Sequence, residues 1–175
     1  MKNLINFILF QLLWISCIFG AAYQVMWPAS LLIMALLVGY LYPTIRHQKD
    51  ILFLSICLGL GFLLDSFMAH FNLITYNYNL GVTDFAPFWI IFLWAGFALT
   101  LNHSMSWLIK KPKLGTVFII IGAPLSYFSA EKLNAIQIDD SVIALTIISI
   151  LWLVVYHIIL AVNAYYDSDR ELSHV

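Results

Sequence analysis

The segment ILFLSICLGLGFLLDSFMAH, residues 51–70, contains a single charged side chain, Asp65. A helix crosses a hydrocarbon layer of about 30 Å with roughly 20 residues. The segment therefore predicts a transmembrane helix, and the composition of the whole chain points the same way. Of the 175 residues, 63% are hydrophobic and 10% are charged, whereas soluble domains carry roughly 25% charged residues.

Further apolar segments lie on both sides of residues 51–70. Together they predict an all-α fold, a polytopic transmembrane helical bundle of about six spans. The bundle forms one domain, residues 1–166, and residues 167–175 form a short polar cytoplasmic tail. Residues 71–86 hold turn formers and amphipathic aromatics, so we expect them to lie along the membrane interface. The predicted spans lie near residues 4–22, 27–43, 51–70, 87–108, 114–130 and 142–163.

The positions of lysine and arginine predict how the bundle is oriented, because positive residues near span ends are retained in the cytoplasm. With the N-terminus inside and six spans, seven of the eight lysines and arginines are cytoplasmic, and Lys132 alone lies outside. We therefore expect both termini to be cytoplasmic. The seven residues predicted to lie inside are Lys2, Arg46, Lys49, Lys110, Lys111, Lys113 and Arg170.

Small residues mark the faces on which the predicted helices pack. Lipid tails are as apolar as leucine, so helices in a membrane associate through close contact and interhelical hydrogen bonds. Cys57, Gly61, Asp65 and Ala69 occur at every fourth position, which places them on one face of a helix. We interpret such stripes as packing faces. A search for an internal repeat, of the kind that builds many transporters, identifies none.

The outstanding polar residue is Asp65, the one carboxylate well inside an apolar segment. A charge at the centre of a bilayer costs roughly 2.5 to 3.5 kcal/mol on insertion scales, so such residues usually face the bundle interior. Asp65 lies five residues before His70, the outer end of the predicted span, so we place it in the outer third of the bundle. We hypothesise a pocket in which Asp65 is a catalytic acid or base. Its predicted substrate-binding residues are Trp89, Tyr127, His70 and Glu131.

Three classes of function fit this pattern. The first is a membrane enzyme that acts on a lipid through Asp65, and the second is a small transporter or ligand-binding membrane protein. In the third, a non-catalytic partner in a membrane complex, Asp65 accepts hydrogen bonds from tyrosine, serine or tryptophan and fastens the helices together. Polar residues near the inner face are expected to form interhelical hydrogen bonds. They are Asn6, Gln11, Asn102, His103, Tyr156 and His157.

The sequence lacks the motifs of several kinds of catalytic or binding site. Cys17 and Cys57 have neither the CxxC nor the Cys/His spacing of a metal or redox centre. No P-loop, complete GxGxxG, HExxH or nucleophile elbow occurs, so we predict neither a metal nor a cofactor. The net charge of −1 and the absence of a basic patch argue against a nucleic-acid partner. The expected partners are membrane lipids, and the sequence leaves any protein partner open.

Three groups of residues carry a resemblance to a known family. They are Asn6, Gln11 and Trp14 in the first span, Pro87-Phe88-Trp89 with Trp94 and Phe97 in the fourth, and Gly122-Ala123-Pro124-Leu125-Ser126-Tyr127 in the fifth. In order and spacing, the chain resembles a bacterial inner-membrane family catalogued as domain of unknown function 2878. The resemblance implies a multi-pass protein of the bacterial inner membrane and carries over no activity.

The resemblance also bears on the candidate site. Small residues and a glycine are usual in the family after the tyrosine, whereas this chain has Glu131 and Asn134. The resemblance therefore implies no catalytic role for Glu131. An association of the family with fatty-acid-modifying genes suggests work on lipids. We thus expect an inner-membrane protein with a lipid-related role and a polar pocket near the outer leaflet.

Overall fold

A computed structural model describes residues 2–41, 46–81 and 83–172. The described part of the chain is mostly helical, which confirms the helical class, and it also contains a two-stranded sheet that the all-α prediction omits. The elements in chain order are α1 (Lys2–Tyr23), α2 (Trp27–Leu41), α3 (Asp50–His70), β1 (Ile74–Tyr76), α4 (Phe88–Ala98), α5 (Trp107–Lys110), α6 (Pro112–Lys132), β2 (Ile136–Ile138) and α7 (Ser141–Leu172).

Four helices of the described chain are long and apolar enough to cross a membrane, namely α1, α3, α6 and α7. They indicate a membrane protein. The helices α2 and α4 are also apolar but have only 15 and 11 residues, and a straight span takes roughly 20. The predicted second span reached residue 43, and its last two residues lie outside the described part of the chain.

The helices pack in consecutive pairs, α1 with α2, α3 with α4 and α6 with α7. Contacts of α4 with α1 and of α3 with α7 join the three helical hairpins into one bundle. The core of this bundle is built mainly from apolar side chains. Large apolar side chains also cover much of its outer surface, as expected for a protein whose solvent is lipid.

The first helix of every hairpin ends in a left-handed turn. Gln24, Asn72 and Asn134 have φ angles of 61°, 53° and 59°, and asparagine adopts this conformation more readily than most residues. In each turn the next backbone N–H donates to a carbonyl five residues earlier, which satisfies an acceptor at the helix end. These hydrogen bonds join Val25 to Gly20, Leu73 to Met68 and Ala135 to Ala130.

The sheet belongs to a repeated unit that the sequence search did not identify. The helices α3 and α6 each have 21 residues, and each leads through its asparagine turn into a three-residue strand. Equivalent positions in the two units lie 62 residues apart, which is the separation of Asp65 and Tyr127. The antiparallel strands β1 and β2 pair about Thr75 and Gln137, which are also equivalent. The two units share their backbone conformation but few of their side chains, so the repeat is not apparent in the sequence.

The structure differs from the predicted fourth span, residues 87–108, in the length of the helix. The helix α4 ends at Ala98, and turns lead on to the four-residue α5. Polar side chains satisfy the backbone at this end: Thr100 Oγ1 donates to a carbonyl of α4, and Asn6 Nδ2 in α1 donates to the Leu99 carbonyl. Irregular backbone is tolerated at membrane depth where protein groups satisfy it in this way.

The structure also differs from the predicted end of the last span at residue 163. The helix α7 continues to Leu172, so the described part of the predicted tail is helical, and residues 173–175 lie outside the described chain. Lys49 holds this extension against the rest of the bundle. Its Nζ donates to Asn163 Oδ1 at 2.7 Å and pairs with Asp167 Oδ1 at 2.5 Å.

Candidate functional site

Asp65 lies on the buried face of α3, where the predicted stripe of small residues packs. Cys57, Gly61, Asp65 and Ala69 are all buried, and Asp65 has no exposed surface. Gly61 allows the Trp94 ring to approach the helix, since a Cβ atom added there would lie 2.1 Å from Trp94 Cδ2. The glycine thus brings an indole beside the carboxylate one helical turn away.

Three side chains from three other elements donate hydrogen bonds to the Asp65 carboxylate. Tyr76 Oη and Tyr127 Oη donate to Oδ1 at 2.7 and 2.6 Å, and Trp94 Nε1 donates to Oδ2 at 2.6 Å. An indole nitrogen can only donate, so Oδ2 acts as an acceptor. The bundle itself therefore fills three of the roughly four acceptor positions of the carboxylate.

Local structure explains how these donors reach Asp65. Alternation along β1 buries Ile74 and Tyr76 and exposes Thr75, so Tyr76 is directed into the bundle. Trp94 lies in α4, which packs on α3, and Tyr127 occupies the position in α6 that is equivalent to Asp65. Burial, together with the neighbouring Asp65 carboxylate, raises the pKa of Tyr76 well above its ordinary value. The Tyr76 hydroxyl therefore keeps its proton and donates it to the hydrogen bond.

The carboxylate lies in the wall of a cavity of about 100 Å³, which we call the Asp65 cavity. Asp65 is the one charged residue in its lining, and the described residues that line it include no lysine, arginine or histidine. Most of the lining is aromatic. The aromatic residues are Phe10, Trp14, Tyr76, Trp89, Trp94, Phe97, Tyr127 and Trp152.

Two of these tryptophans are fixed by their own hydrogen bonds. Trp89 Nε1 donates to the Tyr78 carbonyl at 3.0 Å, which ties the start of α4 to the loop after β1. Trp14 Nε1 donates to Ser126 Oγ at 2.9 Å, which joins α1 to α6. Both bonds hold the walls of the cavity at a set distance from Asp65.

Trp152 of α7 has an unsatisfied donor. Its ring stacks on Trp94 with the centroids 4.3 Å apart. Its buried Nε1 interacts with the Tyr127 hydroxyl but makes no hydrogen bond with any described residue. A buried donor without a partner costs roughly 1–3 kcal/mol.

The structure brings together three of the five predicted site residues, because Asp65, Trp89 and Tyr127 line the same cavity. His70 is exposed at the C-terminal end of α3 and does not line it. Glu131 does not line it either, and its carboxylate accepts a hydrogen bond from a backbone N–H of β2 at 3.3 Å. Both residues lie at helix ends beside the sheet.

The lining residues that were not part of the predicted site include Tyr76, Trp94 and Trp152. The alternation of Ile74-Thr75-Tyr76 is a strand signal that places Tyr76 on a buried face, but a three-residue strand is too short to stand out. Trp94 carried part of the family resemblance, but the sequence around it does not show which face of α4 packs against α3. Nothing local to Trp152 points to Asp65.

A second buried carboxylate, Asp50, lies at the other end of α3, although the sequence places it in a polar loop. It has no exposed surface. It accepts hydrogen bonds from the His47 backbone N–H and from Asn102 Nδ2, both at 2.7 Å, and His103 Nε2 lies 3.1 Å from its Oδ2. The turns after α4 bring these two side chains to Asp50. Asp50 and His103 line a further cavity of about 150 Å³.

The arrangement around Asp65 is suited to binding. It offers a fixed acceptor, one unpaired donor on Trp152 and aromatic walls. A proton shuttle usually pairs its acid with a second titratable base, and no histidine or second carboxylate lines this cavity in the described chain. Among the described residues, no three His, Cys, Asp or Glu side chains lie close enough together to hold a metal ion.

Comparison with known proteins gives one result. No curated protein and no solved structure matches the chain. A family model described as a protein of unknown function (DUF2878) matches residues 3–158. This range contains every residue that lines the Asp65 cavity, and it confirms the resemblance that the motifs indicate. The chain therefore belongs to the DUF2878 family.

Proposed function

We propose that this protein crosses the bacterial inner membrane six times and binds the polar end of a membrane amphiphile in the Asp65 cavity. In this proposal α2 and α4 are the second and fourth crossings, and both termini lie in the cytoplasm. The cavity then faces the outer leaflet. Asp65, Trp89 and Tyr127 contact the ligand, together with Trp94 and Trp152.

The three hairpins support six crossings. With six crossings, the left-handed turns that end α1, α3 and α6 would share one side of the membrane, and the lysine-rich segments would share the other. The helix α4 is only about 16 Å long at 1.5 Å per residue. Buried turns from Leu99 to Leu101 continue it toward the inner face, where Asn6 supplies a hydrogen bond.

The observation that carries the binding proposal is a fully buried carboxylate, fixed by three donors, in the wall of an aromatic cavity. A few fixed polar groups in a largely apolar pocket are typical of small-molecule sites. The lining residues Trp14 and Ser126 keep partial exposure where α1 meets α6. Near them, Leu12 and Leu125 are 44% and 58% exposed, as surfaces in contact with lipid are. This favours entry from the membrane.

The geometry favours binding by Asp65 over catalysis. Its acceptor positions are largely occupied, so a substrate would have to displace a tyrosine or the tryptophan before it exchanged a proton with the carboxylate. A ligand held by the aromatic walls beside Asp65 leaves these three hydrogen bonds in place. The alternative is an enzyme that acts on a lipid through Asp65. It would require that the wild-type protein converts the lipid and that Asp65→Asn does not.

Cysteine labelling tests the orientation. We expect a membrane-impermeant thiol reagent to label Asp139→Cys in intact cells and to miss Lys111→Cys, because six spans place these exposed positions on opposite sides. The native Cys17 and Cys57 are free but buried, so they contribute little background. Both variants should react after lysis. Labelling of Lys111→Cys in intact cells, with Asp139→Cys protected, would reverse the orientation.

Native mass spectrometry tests the binding. We expect wild-type protein, released from the membrane in mild detergent, to retain an amphiphile that Asp65→Asn binds at least about tenfold more weakly. A hydrogen bond to a charged group contributes about 1.5–3 kcal/mol, and about 1.4 kcal/mol is a factor of ten. The matched control is Ser149→Ala, whose hydroxyl bonds to the Leu145 carbonyl in α7 outside the cavity. It should retain the ligand as the wild type does.

A second variant separates loss of ligand from loss of fold. Ala130 is a buried residue in the lining, so Ala130→Leu fills the cavity without touching the hydrogen bonds of Asp65. We expect it to lose the ligand while it keeps a folded, monodisperse state. If Ala130→Leu retains the ligand, or if the wild type carries none, the binding proposal fails and Asp65 serves only to fasten helices.

A further inference from the structure

The described residues that line the Asp65 cavity include no positively charged side chain to pair with the Asp65 carboxylate. Asp65 is fully buried, and the three groups that bond to it are two hydroxyls and an indole N–H, all neutral. Neutral donors stabilise a carboxylate but do not cancel its charge. Buried charges in proteins are normally paired, and the described residues lining the cavity supply no cation. A positively charged group inside the cavity would supply the missing partner.

The walls of the cavity suit such a group. Aromatic rings attract a cation through the negative face of their π-system, most strongly once the cation is desolvated, and aromatic cages are a known mode of binding alkylated ammonium groups. Four tryptophans, Trp14, Trp89, Trp94 and Trp152, line this cavity. Tryptophan gives the strongest interaction of this kind.

The donor on Trp152 adds a second requirement. Its buried indole N–H has no hydrogen-bond partner among the described residues, and an indole can only donate. The ligand must therefore present an acceptor oxygen close to its positive group. A carboxylate that needs a cation and an indole that needs an oxygen lie in the wall of the same cavity.

The volume limits how much of the ligand enters. A cavity of about 150 Å³ in another protein holds one benzene molecule, so the 100 Å³ of the Asp65 cavity accommodates a group of a few non-hydrogen atoms. Acyl chains must stay outside, against the apolar surfaces of α1 and α6. The part that enters is small, positively charged at one end and oxygen-bearing at the other.

We infer that the Asp65 cavity binds an amino-alcohol head group of a phospholipid, with its ammonium group against Asp65 and the aromatic walls and an oxygen accepting from Trp152. This inference rests on the proposed binding of a membrane amphiphile and names the chemical class. Asp65 is the counter-ion of the ligand, and Trp152 positions the ligand through its oxygen. No covalent step is involved.

The test compares single-chain lipids that differ in the head group alone. Lysophosphatidylethanolamine carries an ammonium group, and lysophosphatidylglycerol has the same phosphate and chain but a neutral diol. We expect the first to bind the wild-type protein at least about tenfold more tightly, because only its ammonium group pairs with Asp65 and contacts the aromatic walls. Binding is followed by tryptophan fluorescence in neutral detergent. Lysophosphatidylcholine shows whether a quaternary ammonium fits as well.

Two variants assign the groups. Asp65→Asn should reduce the preference for the ammonium lipid to the part that the aromatic walls alone provide, whereas Trp152→Phe should weaken both lipids and keep most of the preference, because Asp65 and three tryptophans remain. The ratio of the affinities of the wild-type protein for the two lipids can be measured even if a variant fails to fold. If both head groups bind the wild type equally, the ammonium assignment is overturned while the proposed function stands. If neither lipid nor lysophosphatidylcholine binds, the proposed function fails as well.

Discussion

Replacing Asp65 with alanine should lower the free energy of unfolding of the bundle by about 3 kcal/mol. The substitution leaves Tyr76, Trp94 and Tyr127 without their acceptor, and each buried donor without a partner costs roughly 1–3 kcal/mol. The loss is measured by titrating the protein in mixed micelles with a denaturing detergent and following tryptophan fluorescence.

The matched control for this substitution is Asp84→Ala. Asp84 is an exposed acidic residue in the loop before α4, and we expect its removal to change the free energy of unfolding by less than about 0.5 kcal/mol. Interhelical hydrogen bonds in membrane proteins average only about 0.6 kcal/mol where the donors find other partners. A loss in Asp65→Ala no larger than that value would show that the three donors are not committed to the carboxylate.

Replacing Gly61 with alanine should cost about 1 to 3 kcal/mol, the usual range for overpacking a core. The added Cβ would lie 2.1 Å from Trp94 Cδ2. The indole has little room to retreat, because it stacks on Trp152 and donates to Asp65. We therefore also expect the fluorescence of the folded protein to change and ligand binding to weaken, since displacement of this ring breaks its hydrogen bond to Asp65.

Gly59 provides the control in the same helix, two residues earlier. A Cβ added at Gly59 meets no atom within 4 Å, and alanine favours a helix over glycine. Gly59→Ala should therefore leave stability unchanged or raise it slightly, with ligand binding intact. Equal destabilisation by the two variants would refute the view that contact with Trp94 is what requires a glycine at position 61.

The sequence predicted much about α3 and little about its partners. The every-fourth stripe that contains Asp65 is indeed the buried face, because helical spacing alone decides which residues share a face. The donors to Asp65 come from residues 11, 29 and 62 positions away in the chain. No local pattern specifies pairs at such separations, and of the three donors only Tyr127 belonged to the predicted site.

The burial of Asp50 was likewise not predicted from the sequence. The sequence placed it in a polar loop, and it is instead fully buried against Asn102 and His103. That contact requires α4 to end at Ala98. The residues after it, LTLNHSMS at 99–106, mix apolar and polar side chains, and they were included in the predicted fourth span. A run of hydrophobic residues predicts burial in lipid, but it does not distinguish a continuous helix from a helix followed by buried turns.

The sequence by itself determined that this chain forms apolar membrane helices and that Asp65 faces the interior, because both follow from composition and spacing within a single segment. Only the tertiary structure decided that Tyr76, Trp94 and Tyr127 meet at Asp65 and that Trp152 closes the cavity with a free donor. The reason is physical. In lipid nearly every face of a helix is apolar, so hydrophobicity does not choose which face meets which neighbour, and close packing at residues such as Gly61 makes that choice.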